Sequence, residues 1–226
     1  MNDNYIVTST GRKFNLTNPS AVDVHPLDIA RGLANMPRFT GQARYNGRTL
    51  SVARHSLHVL YLLREESCAV RLAGLLHDAH EAYLCDLSSP LKAEMRLRLR
   101  ARHEWHLQGG MTAYERITSG GMTAYECIAS HVQNAVNVAF ELPQVAPIRA
   151  VKRADTIALL LERDAILPRP TDGWGSRWPA WPPGAEVSLC VHTYEPEIDE
   201  AEFLTALRNL RDEVRGAHDA PAMRLL

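Results

Sequence analysis

The sequence predicts an all-α fold, a bundle of amphipathic helices preceded by one short β-ribbon. Two observations carry this. From Pro26 to Val214 apolar residues recur at helical spacing in stretch after stretch, each punctuated by Pro, Gly, Ser or Asn. Strict alternation of apolar and polar residues is confined to the opening segment around Thr10-Gly11.

The opening segment, YIVTSTGRKFNLTNP, reads as a hairpin ending at Asn18-Pro19. Pro26 suits the first turn of a helix carrying Leu27, Ile29, Ala30 and Leu33. A loop rich in Pro, Gly and Arg follows, with Asn46-Gly47 placed for a tight turn. From Ser51 the period is helical, with Val52, His55, Val59, Leu62 and Leu63 on one face; His58, Arg54, Tyr61 and Glu65 share another, expected to face solvent. Ala69 to Leu84 reads as one apolar helix, followed by a turn at Asp86–Ser89. Ser89-Pro90 then opens a basic helix to about Gln108. Further helices are expected to about Phe140, from Pro147 to Ile166, and from Asp199 to about Val214. Residues 168–184 form a Pro/Trp/Gly loop too aromatic for a linker, so it is expected to pack back on the body. The division expected is a core over residues 1–167 and a C-terminal loop and helix, 168–226, packing on it.

Residues 109–130 hold a tandem repeat: GGMTAYERITS is followed at once by GGMTAYECIAS, identical at nine of eleven positions. Two copies are too few for a solenoid, and the repeat reads as a local duplication without catalytic meaning.

With 226 residues and a net charge of −1, the chain can bury a full core and carries no strongly basic surface for a nucleic-acid polymer or a membrane. No apolar stretch reaches the length of a membrane span, and no secretory signal pattern is present at the N-terminus. The four cysteines form no CxxC pair and read as reduced thiols, so a cytoplasmic setting is expected.

The chemistry gathers in LLHDAHEAYL. A carboxylate buried among leucines is costly unless paired or bound to a metal, which makes His77-Asp78 a ligand pair in search of partners. His55 lies in the apolar stripe of its helix, and Asp155 lies between Val151 and Leu159 on the apolar side of another. The inferred set is therefore His55, His77, Asp78 and Asp155. Two imidazoles and two carboxylates suit one divalent Mn, Co, Zn or Fe ion. Taken singly, a histidine on an apolar face is more often a satisfied core residue, a His-Asp pair is common by chance, and Asp155 could cap or pair with Arg153 or Lys152; the joint occurrence, with Glu81 one turn beyond, favours the metal. No P-loop, GxGxxG, GxSxG or zincin motif is present. The alternating arginines Arg96, Arg98, Arg100 and Arg102 read as a solvated face.

These blocks resemble the HD-domain metal-dependent phosphohydrolases, in particular the branch of 5′-deoxynucleotidases and their phage dATP triphosphohydrolase relatives. The likeness rests on Arg38-Phe39, on SVARHS at 51–56, on LLHDAHEAYL at 75–84, on DLSSPLK at 86–92 and on VKRAD at 151–155, in that order. It spans the N-terminal ribbon to about Leu167. It implies an HD-domain helical bundle in which His55, His77, Asp78 and Asp155 bind the metal. Glu81 would handle the proton of the attacking water or leaving group, Arg38 would bind phosphate and Asp86 would select deoxyribose. Lys92 and Lys152 would be weaker phosphate contacts, and Phe39, where the nucleotidases carry Trp, would face the base. The loop before His55 is about two residues longer than in bacterial relatives, and Arg54 stands where an acidic or neutral residue is usual. The resemblance also implies a homo-oligomer. The function expected is a deoxynucleoside 5′-monophosphatase acting on a small-molecule deoxynucleotide. Its alternatives are a dNTP triphosphohydrolase releasing tripolyphosphate, a metal-dependent nucleotide sensor, and a helical interaction module that binds no metal.

Overall fold

In a computed structural model, residues 4–106, 123–142, 148–176, 178–185, 187 and 190–219 are described. Their secondary structure is mostly helical, with two small antiparallel ribbons. In the first ribbon β1 (Tyr5–Val7) pairs with β2 (Lys13–Asn15), Ile6 opposite Phe14, and the turn between them places Gly11 at φ 78°. Asp28 staples this ribbon to α1 (Pro26–Ala34): its carboxylate accepts from the Ser9 hydroxyl at 2.7 Å, the Thr10 N–H at 2.8 Å and the Thr10 hydroxyl at 2.7 Å. Helix α1 starts as its sequence requires, with Pro26 in the first turn and the His25 ring accepting from Leu27 N–H.

The loop beyond α1 turns sharply at Arg38–Gly41, then forms the second ribbon, β3 (Arg44–Tyr45) with β4 (Arg48–Thr49). Asn46 and Gly47 both have positive φ, 51° and 79°, the geometry that the Asn-Gly pair favours. Ser51 caps α2 (Val52–Leu62) by accepting from Arg54 N–H.

The expected single helix from Ala69 to Leu84 is broken. Helix α3 (Cys68–Leu75) ends at Leu76, residues 76–80 form turns, and α4 spans only Glu81–Leu84. The cause is local: the His77 Nδ1–H donates to the Gly74 carbonyl at 2.8 Å, taking the acceptor that a continuing helix would offer to Asp78 N–H. Gln133 braces the turn from outside, accepting from His80 N–H and donating to the Leu76 carbonyl.

Helix α5 (Ser89–His106) begins within one residue of its expected start, and its expected last residues lie outside those described, as does the first repeat copy. The second copy opens α6 (Ala124–Ala139) with a capping box in which Thr123 and Glu126 bond reciprocally. Helix α7 (Ile148–Ile166) carries Asp155. The last helix, α8 (Pro196–Asp219), is longer at both ends than its apolar period predicts.

The main core joins Ile29, Ala30 and Leu33 of α1 with Leu72 and Leu75 of α3 and Phe203, Leu207 and Leu210 of α8. Phe14 stacks on Tyr83 with centroids 4.0 Å apart, closing it from below. A second cluster packs Val59 and Leu63 of α2 on Ala154 and Ala158 of α7, which sets His55 against Asp155. Close approach elsewhere depends on Gly32, where a Cβ would stand 2.9 Å from that of Ala82.

Two residues expected to face solvent are buried. Arg54 forms ion pairs with Asp199 and Glu202 of α8, at 2.6 Å each, and its guanidinium lies 4.1 Å from the Tyr194 ring centroid. His58 donates to Glu162 on α7. The period was read correctly, but α2 is covered on two sides, by α7 and by α8, so a polar stripe meets protein and not water. In the loop after α7, Trp174 stands edge-on to Trp178, and Arg163 of α7 lies over both rings.

Asp28→Asn is expected to lower unfolding stability by about 1–3 kcal/mol, since it removes a buried charged acceptor shared by three donors. Burial alone would raise the Asp28 pKa, but the bonds from Ser9 and Thr10 hold it below its ordinary 3.8. A depressed carboxylate stabilises the fold above its unfolded value and ceases to do so as pH falls through its native one. Urea unfolding should therefore show the gap between wild type and D28N shrinking from about pH 7 to about pH 3.

Candidate metal centre

Four of the expected residues converge where α2, the 76–80 turn and α7 meet. His55 Nε2 lies 3.1 Å from Asp155 Oδ1 and 3.9 Å from Asp78 Oδ2. His77 Nε2 lies 3.1 Å from Asp78 Oδ2 and 3.8 Å from Asp155 Oδ1, and the two imidazole rings stand 5.3 Å apart. His55, His77 and Asp78 each offer a ligand atom within 4.8 Å of the others, a group able to hold a metal ion. Asp155 presents Oδ1 to both Nε2 atoms of that group from across α7.

The ring tautomers suit a cation. A carbonyl can only accept, so the Gly74 bond fixes the proton of His77 on Nδ1 and turns the Nε2 lone pair inward. That buried Nε2 makes no well-aligned hydrogen bond, although Asp78 Oδ2 lies 3.1 Å away. A divalent ion would take the lone pair and neutralise the two carboxylates, so the residues present fit a metal. The same carboxylates set the protonation of the site. Burial works against charge on both rings, yet Asp78 and Asp155 raise His77 strongly, and Glu162 and Asp155 raise His55 against burial and Arg38. Burial alone would raise Asp78 and Asp155 too, and the two histidines hold both well below the usual carboxylate range.

Sequence reading missed Glu162. It is fully buried on α7, and accepts from His55 Nδ1–H at 2.9 Å and from His58 Nδ1–H at 2.8 Å, while Arg38 Nε lies 3.2 Å away. Its carboxylate therefore fixes the proton of His55 on Nδ1 and leaves Nε2 for the centre, as the Gly74 carbonyl does for His77. Burial would raise its pKa, but His55 and Arg38 keep it ionised. The available signal was spacing: Glu162 lies seven residues after Asp155 on the same helix, two turns along one face.

The centre opens into a cavity of about 720 Å³ whose walls include Arg38, Phe39, Glu81, Asp86, Lys92 and Arg96. Arg38 is buried, and its guanidinium also reaches within 3.9 Å of Asp78. The turn that places it carries Phe39 and Thr40 with φ 53° each, a left-handed conformation that costs roughly 1–3 kcal/mol per residue outside glycine. Cys85, at φ 78° and ψ 157°, is held by its own N–H to Glu81 O and by the Tyr125 hydroxyl donating to its carbonyl, and delivers Asp86 to the cavity. Glu81 reaches the cavity from the first turn of α4; the helical spacing expected to align it with His77 and Asp78 does not hold across the broken segment. Its carboxyl is pushed up to about 9, by burial first and then by Asp78 and Asp86, against Lys92 and Arg38. Lys92 Nζ stands 3.7 Å from Glu81 Oε1. Lys152 is exposed on the first turns of α7 and is not brought to the cavity. Of the arginine run, Arg98 is solvated as expected, whereas Arg96 lines the cavity and pairs with Glu126.

No protein-family model matches the chain. The chain is 34% identical over 164 residues to uncharacterized protein RCAP_rcc00048 of Rhodobacter capsulatus, covering 70% of each chain, and it belongs to the family of that protein. It is also 34% identical over 88 residues to uncharacterized protein YfdR of Escherichia coli, which covers 39% of this chain and 46% of YfdR. No helix among the described residues is long and apolar enough to cross a membrane.

Two variants probe the centre. Asp78→Ala should abolish Mn²⁺ or Co²⁺ binding in calorimetric titration. Glu162→Gln should fold and still bind, with affinity lowered about 10- to 100-fold, because a neutral amide removes the charge that His55, His58 and Arg38 meet and sets an NH2 donor against one of them.

Proposed function

We propose that the protein is a metal-dependent phosphohydrolase of the HD-domain kind that removes orthophosphate from deoxynucleoside 5′-monophosphates. The observation that carries this reading is the His55–His77–Asp78 group, with Asp155 beside it, beside a cavity that Asp78 and Asp155 line together with Arg38, Glu81 and Lys92. His55, His77, Asp78 and Asp155 would hold one divalent ion, which when bound acidifies water and polarises a phosphoryl oxygen.

The chain's own groups supply the rest. Arg38, fixed by Glu162 and Asp78, meets the negative charge of the phosphoryl oxygens from a site already desolvated. Lys92 adds a second cation from α5. Glu81, raised to about 9, carries its proton at neutral pH. Its Oε2 is buried without a partner, so it can hand that proton to the departing 5′ oxygen. Asp86 also lines the cavity, and the resemblance implies that it would exclude a 2′-hydroxyl.

One observation favours a second reading. Arg96 extends the cationic wall beyond Lys92, as a triphosphate chain would require. Its pairing with Glu126 neutralises it, and the monophosphate stays first.

The test is product analysis after incubating Mn²⁺- or Co²⁺-loaded protein with dAMP and with dATP. Orthophosphate and nucleoside from dAMP are expected. Tripolyphosphate from dATP with dAMP untouched would replace this reading by the triphosphohydrolase, and metal binding without either product would replace it by a sensor. Glu81→Gln should retain metal affinity while turnover falls roughly 10²- to 10⁴-fold.

A further inference from the structure

The cavity has a second, apolar wall that the catalytic reading leaves unused. Phe39, Leu159, Trp178 and Pro179 line it in the same cavity as Glu81, Lys92 and Arg96. Helix α7 sets the order of this wall. Asp155, Leu159 and Arg163 follow at four-residue spacing on one stripe, one after another along the helix in steps of about 6 Å. Asp155 belongs to the centre, Leu159 to the cavity wall, and Arg163 to the support behind it.

That support is specific. The Arg163 guanidinium lies 4.9 Å from the Trp174 centroid and 5.1 Å from the Trp178 centroid, and the two indoles meet edge-on at 68°. Arg163 is itself buried and fixed by Asp164. Trp178 borders the cavity, whereas Arg163 and Trp174 do not. An indole backed by a buried cation and a second indole is a rigid aromatic surface placed without rotamer cost to a ligand.

We infer that Trp178 forms, with Phe39 and Leu159, a subsite for a planar aromatic ring, and that this ring is the base of the nucleotide whose phosphate meets the metal centre. The inference rests on the proposed function for the identity of the anionic end. A cavity lined by metal ligands, cations and a braced indole matches a molecule with an anionic head and a flat apolar tail. Stacking reads a π-face and not a hydrogen-bonding edge, so the subsite accepts purines and pyrimidines alike.

The experiment is calorimetric titration of the Mn²⁺-loaded protein with 2′-deoxyadenosine, which carries the ring without phosphate, and separately with inorganic phosphate. Trp178→Ala is expected to weaken deoxyadenosine binding about 10-fold and leave phosphate binding unchanged. Trp178→Phe should recover most of the loss, and Trp178→Leu, which keeps the bulk of the wall without the π-face, should not. Wild-type affinity for deoxyadenosine in Trp178→Leu, or equal loss of both ligands in every variant, overturns the subsite. Phosphate binding without deoxyadenosine binding in the wild type overturns the subsite and leaves the phosphohydrolase reading standing. Binding of neither removes that reading and the inference with it.

Discussion

One buried carboxylate organises the centre. Glu162 sits at the point where α2, α7 and the Arg38 turn converge, and three of its neighbours are groups on which the chemistry depends or which hold them. Desolvating a carboxylate is expensive, and this one is stable because two imidazole N–H groups and a guanidinium meet it together. The arrangement works in both directions. The donors keep Glu162 ionised, and Glu162 fixes the proton on His55, the ring of His58 and the reach of Arg38. The strained backbone at Phe39 and Thr40 belongs to the same arrangement, since it brings Arg38 down onto a carboxylate that would otherwise lack its third partner.

A second polar cluster anchors the other side of α2. Ser51 donates to Asp199, which with Glu202 also pairs with Arg54, so the residue next to His55 is tied to α8. Helix α2 is thus clamped by ion pairs on one face and by the Glu162 hub on another, with Val59 and Leu63 packed between them. Buried pairs of this kind add little net stability, but breaking one leaves a charge uncompensated. Their effect here is positional: His55 is held in rotation and in height.

Most of the helices were legible because their apolar stripes and end signals agree, as Pro26 and the Asn46-Gly47 turn illustrate. The four central side chains were legible for a simpler reason, since His55, His77, Asp78 and Asp155 are polar groups in apolar surroundings. The failures share one physical cause. Burial of Arg54, His58 and Glu162 depends on which helices cover α2, and that is long-range information absent from any local window. The break at His77 was hidden too, because a side chain capturing the Gly74 carbonyl leaves no trace in the hydrophobic period. Trp178 was read only as part of a loop that packs somewhere, and its place beside the cavity comes from Arg163.

The pairing of α1 with α8 has a consequence for how the chain is made. Arg31 and Glu200, joined by two hydrogen bonds, are separated by 169 residues, and the apolar face of α1 finds Phe203 and Leu207 only from the same distant segment. During synthesis the first helix therefore emerges with its main partner still untranslated, for roughly 10–30 s at ordinary elongation rates. Over that interval Ile29 and Leu33 lack their partners on α8, and the His55 helix lacks the clamp at Arg54. Assembly of the centre is in this sense a late event on the ribosome, completed from the C-terminal side although most of its ligands are translated early.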